Sequence, residues 1–251
     1  MKTAHNVAQG VFIALTALLS LYVGLVALGV LDEDPTFVGV VAVSVVIITC
    51  ILKMRDLFND ALASERGPRW MASLALSVTA LLMALVGGGY QATHMSDLLS
   101  ASPFFEPLQL TMGAVFLAAV VLASMLHWGL ILPGIVTIAI AYFFYGHRLD
   151  SPLFSHPPYD LGFVLNYLAL DPSQGVFLFL RTLTADLWFL IIFGAILVGI
   201  GVVRLFMELG NAIGTKVAGG AAFPAIIASG AVGPILAQAV ASTTIIGRLT
   251  I

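Results

Sequence analysis

Apolar residues run along this chain in blocks about as long as a bilayer is thick, and the polar residues gather in short joints between them. A bilayer-crossing helix needs about 20 predominantly apolar residues. Val11 to Leu31 meets that length and ends at Asp32-Glu33-Asp34-Pro35. No small-residue cleavage pattern follows it, so it is read as a retained first helix rather than a removable signal. Phe37 to Leu52 forms the second block and stops at Lys53-Met54-Arg55-Asp56. A polar linker with Asp60, Glu65, Arg66 and Arg69 precedes the third, Trp70 to about Tyr90, where Gly87-Gly88-Gly89 loosens the helix end. After the polar stretch from Gln91 to Pro107 come Leu108 to Leu126 and Gly129 to Tyr145, joined at His127-Trp128 as a tight helical hairpin.

The pattern then changes. Gly146 to Gln174 mixes Arg148, Asp150, His156, Asp160 and Asp171 with Phe154, Tyr159, Phe163 and Tyr167, which predicts a segment lying along the interface. A sixth span is expected over Leu183 to Phe206, with Arg181 and Asp186 near one end and Arg204 and Glu208 at the other. Ala195 and Gly199 make a small-xxx-small pair that lets a second helix approach closely. The last apolar region, Ala218 to Ile246, is too short for two crossings and carries Pro224, Gly230, Gly233 and Pro234. It predicts a re-entrant hairpin or one broken helix. Irregular backbone at membrane depth must be buried in protein or line a cavity. The expected fold class is therefore an all-α integral membrane protein: a five-helix region over 1–145, a periplasmic or interfacial segment over 146–182, and a helix with re-entrant hairpin over 183–251. By the positive-inside rule, Lys2, Lys53, Arg55, Arg66, Arg69, Arg204 and Lys216 share one side and the acidic loops the other, which puts both termini in the cytoplasm of a bacterial inner membrane.

Composition agrees and adds exclusions. The chain has 251 residues, 60% of them hydrophobic and 9% charged, at a mean hydropathy of +1.07. A net charge of −3, with no basic face, argues against nucleic acid. A lone cysteine, Cys50, inside an apolar run excludes a disulfide framework and a thiolate metal site.

Candidate chemistry is sparse. No G-x-S-x-G elbow is present, so no enzyme is expected. His147, Asp150, His156 and Asp160 share a Pro-rich loop but fit no zinc or copper spacing, and a solvated loop is the simpler reading. His127 beside Trp128 has the chemistry of an axial ligand for haem or a chlorophyll-type pigment. The plain alternative is an interfacial anchor pair. No cofactor is expected. Arg181 with Asp186 and Arg204 with Glu208 are spaced as helix-end ion pairs rather than as a proton relay.

The second half resembles the permeases of tripartite ATP-independent periplasmic (TRAP) transporters, in particular the fused permeases of the TAXI subgroup. Phe193-Gly194-Ala195-Ile196-Leu197 matches that family's F-G-A-F-L, and the E-K-T-G-A-G that follows falls on Val198 to Val203, where Gly201 keeps one glycine. Leu153 to His156 and Phe163 to Tyr167 are similar to L/G-x-F-x-H…L-x-N-Y-L, and Ala225 to Gly233 to V-A-V-V-A-S-G-L-F-G. Together these cover roughly residues 130 to 251. The resemblance implies a sodium and substrate site at the tip of the first hairpin, where the family carries T-x-S-G-S-A-x-A-N. Here the tip, after Gly233, reads Pro234-Ile235-Leu236-Ala237-Gln238-Ala239-Val240-Ala241-Ser242. Leu236, Ala237 and Gln238 replace Ser-Gly-Ser and Ser242 replaces Asn, so the side-chain oxygens a hard cation wants are largely gone. The family's inverted second half is also missing before Ile251, and alternating access needs both repeats.

Three expectations follow. One is a degenerate TRAP-like, non-transporting accessory subunit of a larger membrane complex, photosynthetic or respiratory, with lipids and other integral membrane proteins as partners. The second is a split permease subunit of a sodium-coupled organic-anion importer, completed by a second permease chain and a periplasmic binding protein. The third is a membrane protein that ligates a cofactor through His127, His147 or His156.

Overall fold

A computed structural model describes residues 2–63, 68–102, 104–149, 153–215 and 223–236, and every regular element among them is a helix. The chain divides between Arg181 and Thr182 into two compact units.

In the first unit, α1 (Lys2–Ala27) and α2 (Pro35–Ala63) are antiparallel. Tyr22 lies 5.4 Å from Phe37 between ring centroids, and the Arg55 guanidinium sits 5.2 Å over the Phe12 ring. Gly29 ends α1 with φ +70°, its N–H donating to Val26 while Val30 donates to Leu25, the pairing that stops a helix at a left-handed residue. Helix α2 continues past the apolar run because Lys53, Met54 and Arg55 are good helix formers.

The chain returns through α3 (Pro68–Met83), a π-turn (Ala84–Gly88) and α4 (Gly89–Thr93). Trp70 Nε1 donates to the Leu57 carbonyl at 2.8 Å at one end of this pair. At the other end Gly39 packs on Ala92 and Met95. The short α5 (Met95–Ala101) precedes α6 (Pro107–Trp128), which opens on a reciprocal cap between Glu106 and Gln109. Gly129, at φ +70°, turns the chain into α7 (Ile131–Tyr145).

This up-and-down order sorts the charges. The loops holding Asp32, Glu33, Asp34, Asp97 and Glu106 share one end with the C-terminus of α7. Lys53, Arg55 and Arg69 lie at the other, with Asp56 and Asp60.

Six helical stretches among the described residues are long and apolar enough to cross a bilayer: His5–Ala27, Pro35–Asp60, Arg69–Thr93, Pro107–Trp128, Ile131–Arg148 and Leu161–Ala185. The sixth is placed unlike the rest. It comprises α8 (Leu161–Leu165), a π-turn (Asn166–Leu170), a turn closed by Gly175 at φ +54°, and α9 (Gly175–Thr182). It starts beside the C-terminus of α7, where Phe143 meets Tyr159 and Tyr167 at 6.2 and 6.1 Å. Arg181, near its far end, pairs with Glu33 in the α1–α2 loop at 3.0 Å. Residues 161–181 thus begin and end at the acidic end of the bundle, as a strap over it. Leu165 and Leu170 of the strap pack with Leu98, Phe105, Leu110 and Leu117, and Phe177 stacks on Phe116 at 5.9 Å.

In the second unit a π-turn (Leu183–Leu187) leads into α10 (Trp188–Gly199), then α11 (Val202–Gly214) and α12 (Phe223–Leu236). The single sixth span expected over Leu183 to Phe206 is broken: α10 and α11 meet at a 60° bend at Ile200-Gly201. The bend is possible because Gly201 adopts φ +89°, a left-handed conformation that a side chain disfavours.

Candidate functional site

The sequence places its strongest candidates in the second unit. On α10, Gly194 is buried, whereas Ala195 and Gly199 are exposed, and a Cβ added at Gly199 meets nothing within 4 Å. Around this small pair stand Phe189, Ile192, Phe193 and Ile196, all exposed. The face is apolar, shallow and smooth in the way that lets helix backbones approach in lipid.

Directly after it the backbone is irregular. Ile200 N–H donates to Ile196 at 2.9 Å and Gly201 N–H to Val198 at 3.1 Å, closing the end of α10. Gly201 brings no side chain to cap α11, so the first-turn N–H groups there have no side-chain acceptor. Helix α11 is amphipathic: Val203, Gly210 and Gly214 are buried, while Arg204 Nε reaches Glu208 at 3.0 Å on the exposed face. That i,i+4 pair is the one the spacing predicts. Helix α12 packs on α11 with Ala228 buried.

Of the hairpin-tip residues, Gly233 and Leu236 lie on α12, which is one uninterrupted helix from Phe223 through Gly230, Gly233 and Pro234 to Leu236. Ala237, Gln238 and Ser242 lie outside the described residues, as does the rest of the expected hairpin.

The first unit holds a buried polar centre that no sequence pattern marks. Gln91 sits on α4 just after the π-turn, and π-turns recur where a helix is bent to serve a site. Its side chain is fully buried, and its Nε2 donates to the Ala169 carbonyl of the strap at 2.8 Å. Its Oε1 is buried with no hydrogen-bond partner. Three glycines close the packing around it. A Cβ on Gly87 would lie 2.8 Å from the Met112 carbonyl oxygen and the Phe116 nitrogen, one on Gly88 would lie 2.6 Å from Val43, and one on Gly113 would lie 2.8 Å from Leu170. In the sequence Gln91 merely opened a polar stretch, and only its partner 78 residues away gives it a role.

The histidines are spread along the fold. His156 stacks on Tyr159 at 4.8 Å, which stacks on Phe163 at 4.9 Å, with Tyr142 edge-on to His156 at 5.0 Å. Its Nδ1 faces the Pro157 carbonyl at 2.6 Å and its Nε2 the Tyr142 carbonyl at 2.9 Å, so neither ring nitrogen is open to a metal. Asp160 caps α8 through the Gly162 N–H at 3.1 Å, and Asp150 lies outside the described residues. Among the described residues no three His, Cys, Asp or Glu side chains are grouped to hold a metal ion. His127 and His147 each bury Nδ1 without a hydrogen-bond partner. His127 meets Trp128 edge-on at 6.1 Å. Arg181 pairs with Glu33, and the side chain of Asp186, the partner its spacing suggests, lies outside the described residues.

No family model, no curated protein and no solved structure matches this chain.

Proposed function

We propose that this multi-pass membrane protein is a degenerate TRAP-permease-like subunit that does not transport and instead serves as a structural accessory in a larger membrane complex. The observation that carries this reading is the α10 face: an exposed small pair, Ala195 and Gly199, ringed by exposed aromatic and aliphatic side chains and followed by an uncapped break at Gly201. Lipid covers an apolar face, but it cannot satisfy free backbone N–H groups, so a break at membrane depth calls for protein against it. The partners in this reading are other integral membrane proteins and lipids. The host class is a photosynthetic or respiratory complex of a bacterial inner membrane. The gathering of Lys53, Arg55 and Arg69 at one end supports an orientation with that end, and both termini, in the cytoplasm.

The experiment is to place leucine at Ala195 and at Gly199 and measure assembly. A docking face loses partner association in mild detergent in both variants while helicity is unchanged. Variants that assemble like the parent contradict it.

One observation favours the split-permease alternative, a sodium-coupled organic-anion importer. Discontinuous helices build transporter sites, and the 60° break at Gly201 is one. Sodium-dependent uptake by proteoliposomes holding this chain, a second permease chain and a binding protein would decide for it.

A further inference from the structure

Phe12, Leu15, Leu19 and Tyr22 repeat at helical spacing along one stripe of α1, and Val40, Ser44, Ile48, Ile51 and Arg55 do so along α2. Between the two stripes runs a half-enclosed groove of about 230 Å³, lined by Leu15, Leu18, Tyr22, Val40, Ser44 and Ile47 with their neighbours. Its lining is nearly all hydrocarbon. One helical turn beyond Leu15 is Phe12, and over the Phe12 ring lies the Arg55 guanidinium at 5.2 Å. The apolar groove thus stops one helical turn short of a cation stacked on Phe12.

We propose that this groove holds an acyl chain of an anionic glycerophospholipid from the surrounding bilayer, with its phosphate held by Arg55. The apolar lining and the cation beyond it select for that chemistry. The Arg55 Nε and Nη2 donate to a single Asp56 oxygen, at 3.1 and 2.8 Å, which leaves the Nη1 donors to a second oxyanion. A planar guanidinium suits phosphate oxygens and keeps its charge at every physiological pH. Arg55 stands near the end of the Pro35–Asp60 stretch, where a long basic side chain reaches headgroup depth. Basic pockets between helices at such a level bind anionic headgroups, whereas the quaternary ammonium of a zwitterionic lipid offers the Nη1 donors no acceptor.

The test titrates the delipidated full chain with phosphatidylglycerol or phosphatidylcholine of identical acyl chains, and counts bound lipids by native mass spectrometry. The parent protein retains one phosphatidylglycerol, and binds phosphatidylcholine about fivefold more weakly, the effect of one basic residue at a membrane surface. Arg55→Gln lowers phosphatidylglycerol to the phosphatidylcholine level, and Arg55→Lys recovers most of the preference. Ser44→Phe, or Leu18→Trp should that variant misfold, fills the groove and weakens both lipids at unchanged helicity. Equal binding of the two lipids by the parent, indifference of Arg55→Gln, undiminished binding by the filled groove, or a quinone or carotenoid retained in place of phospholipid each overturns the proposal.

Discussion

Arg181 donates through Nε to Glu33 Oε1 at 3.0 Å, across 148 residues of sequence. Both side chains are about half exposed, at 53% and 41%, so the pair is worth little in stability, about 0–1 kcal/mol. Its value is topological. Glu33 sits in the loop that closes α1 onto α2, so the pair marks the end of the bundle to which the strap returns, although residues 161–185 have the length and apolarity of a crossing helix.

That placement is measurable. In a Cys50→Ser background, cysteines at positions 33, 160 and 181 will react with a membrane-impermeant maleimide from the same side, and one at position 53 only from the other. A bifunctional maleimide of about 10 Å will join 33 to 181. Labelling of 33 and 181 from opposite sides would remove the strap.

Close helix approach makes a second prediction with its own control. Gly87→Ala drives a methyl against the backbone of Met112 and Phe116, which cannot give way as a side chain tip can. Overpacking of that kind costs about 1–3 kcal/mol. Gly89→Ala, two residues on, meets nothing within 4 Å and should leave stability unchanged or raise it by up to about 1 kcal/mol through helix propensity. Thermal unfolding in detergent of the two variants will separate them, and equal midpoints would show that the π-turn at Gly87 crosses α6 with room for a methyl.

Gln91 carries a third. Gln91→Leu removes the donor to Ala169 and leaves that carbonyl to find another partner, at a cost of about 0.6–2 kcal/mol, the range for hydrogen bonds between membrane helices. The loss falls on the strap. Limited proteolysis of the variant will cut first between residues 153 and 181, while the α1–α2 pair keeps its protection. Uniform loss of protection would make Gln91 a general core residue instead.

The spans were readable because apolar length is a one-dimensional quantity, and the described helices fall where the runs from Val11, Phe37, Trp70, Leu108 and Gly129 put them. Their ends were less so. Helix α2 runs on to Ala63 because Lys53 to Asp56 are polar yet helix-forming, and hydropathy does not separate those two properties. The glycine run at Gly87 to Gly89 reads locally as a weak helix end, but two of its three members are contact points for α6. Long-range pairs left no mark in the sequence. Gln91 stands 78 residues from Ala169 and Arg181 148 residues from Glu33. The break at Ile200-Gly201 depends on a φ that any glycine allows and few adopt, so composition alone could not place it. At the candidate site, Ala195 and Gly199 were legible as a small pair, while their exposure required the fold.

Whether this chain is a non-transporting member of a larger assembly is decided by the native mass of the protein extracted from its own membrane in mild detergent. The expected particle is a complex with other integral membrane subunits in fixed stoichiometry, dissociated by Gly199→Leu. Recovery instead with a second permease chain and a periplasmic binding protein, as a particle that takes up an organic anion when sodium is supplied, would contradict it.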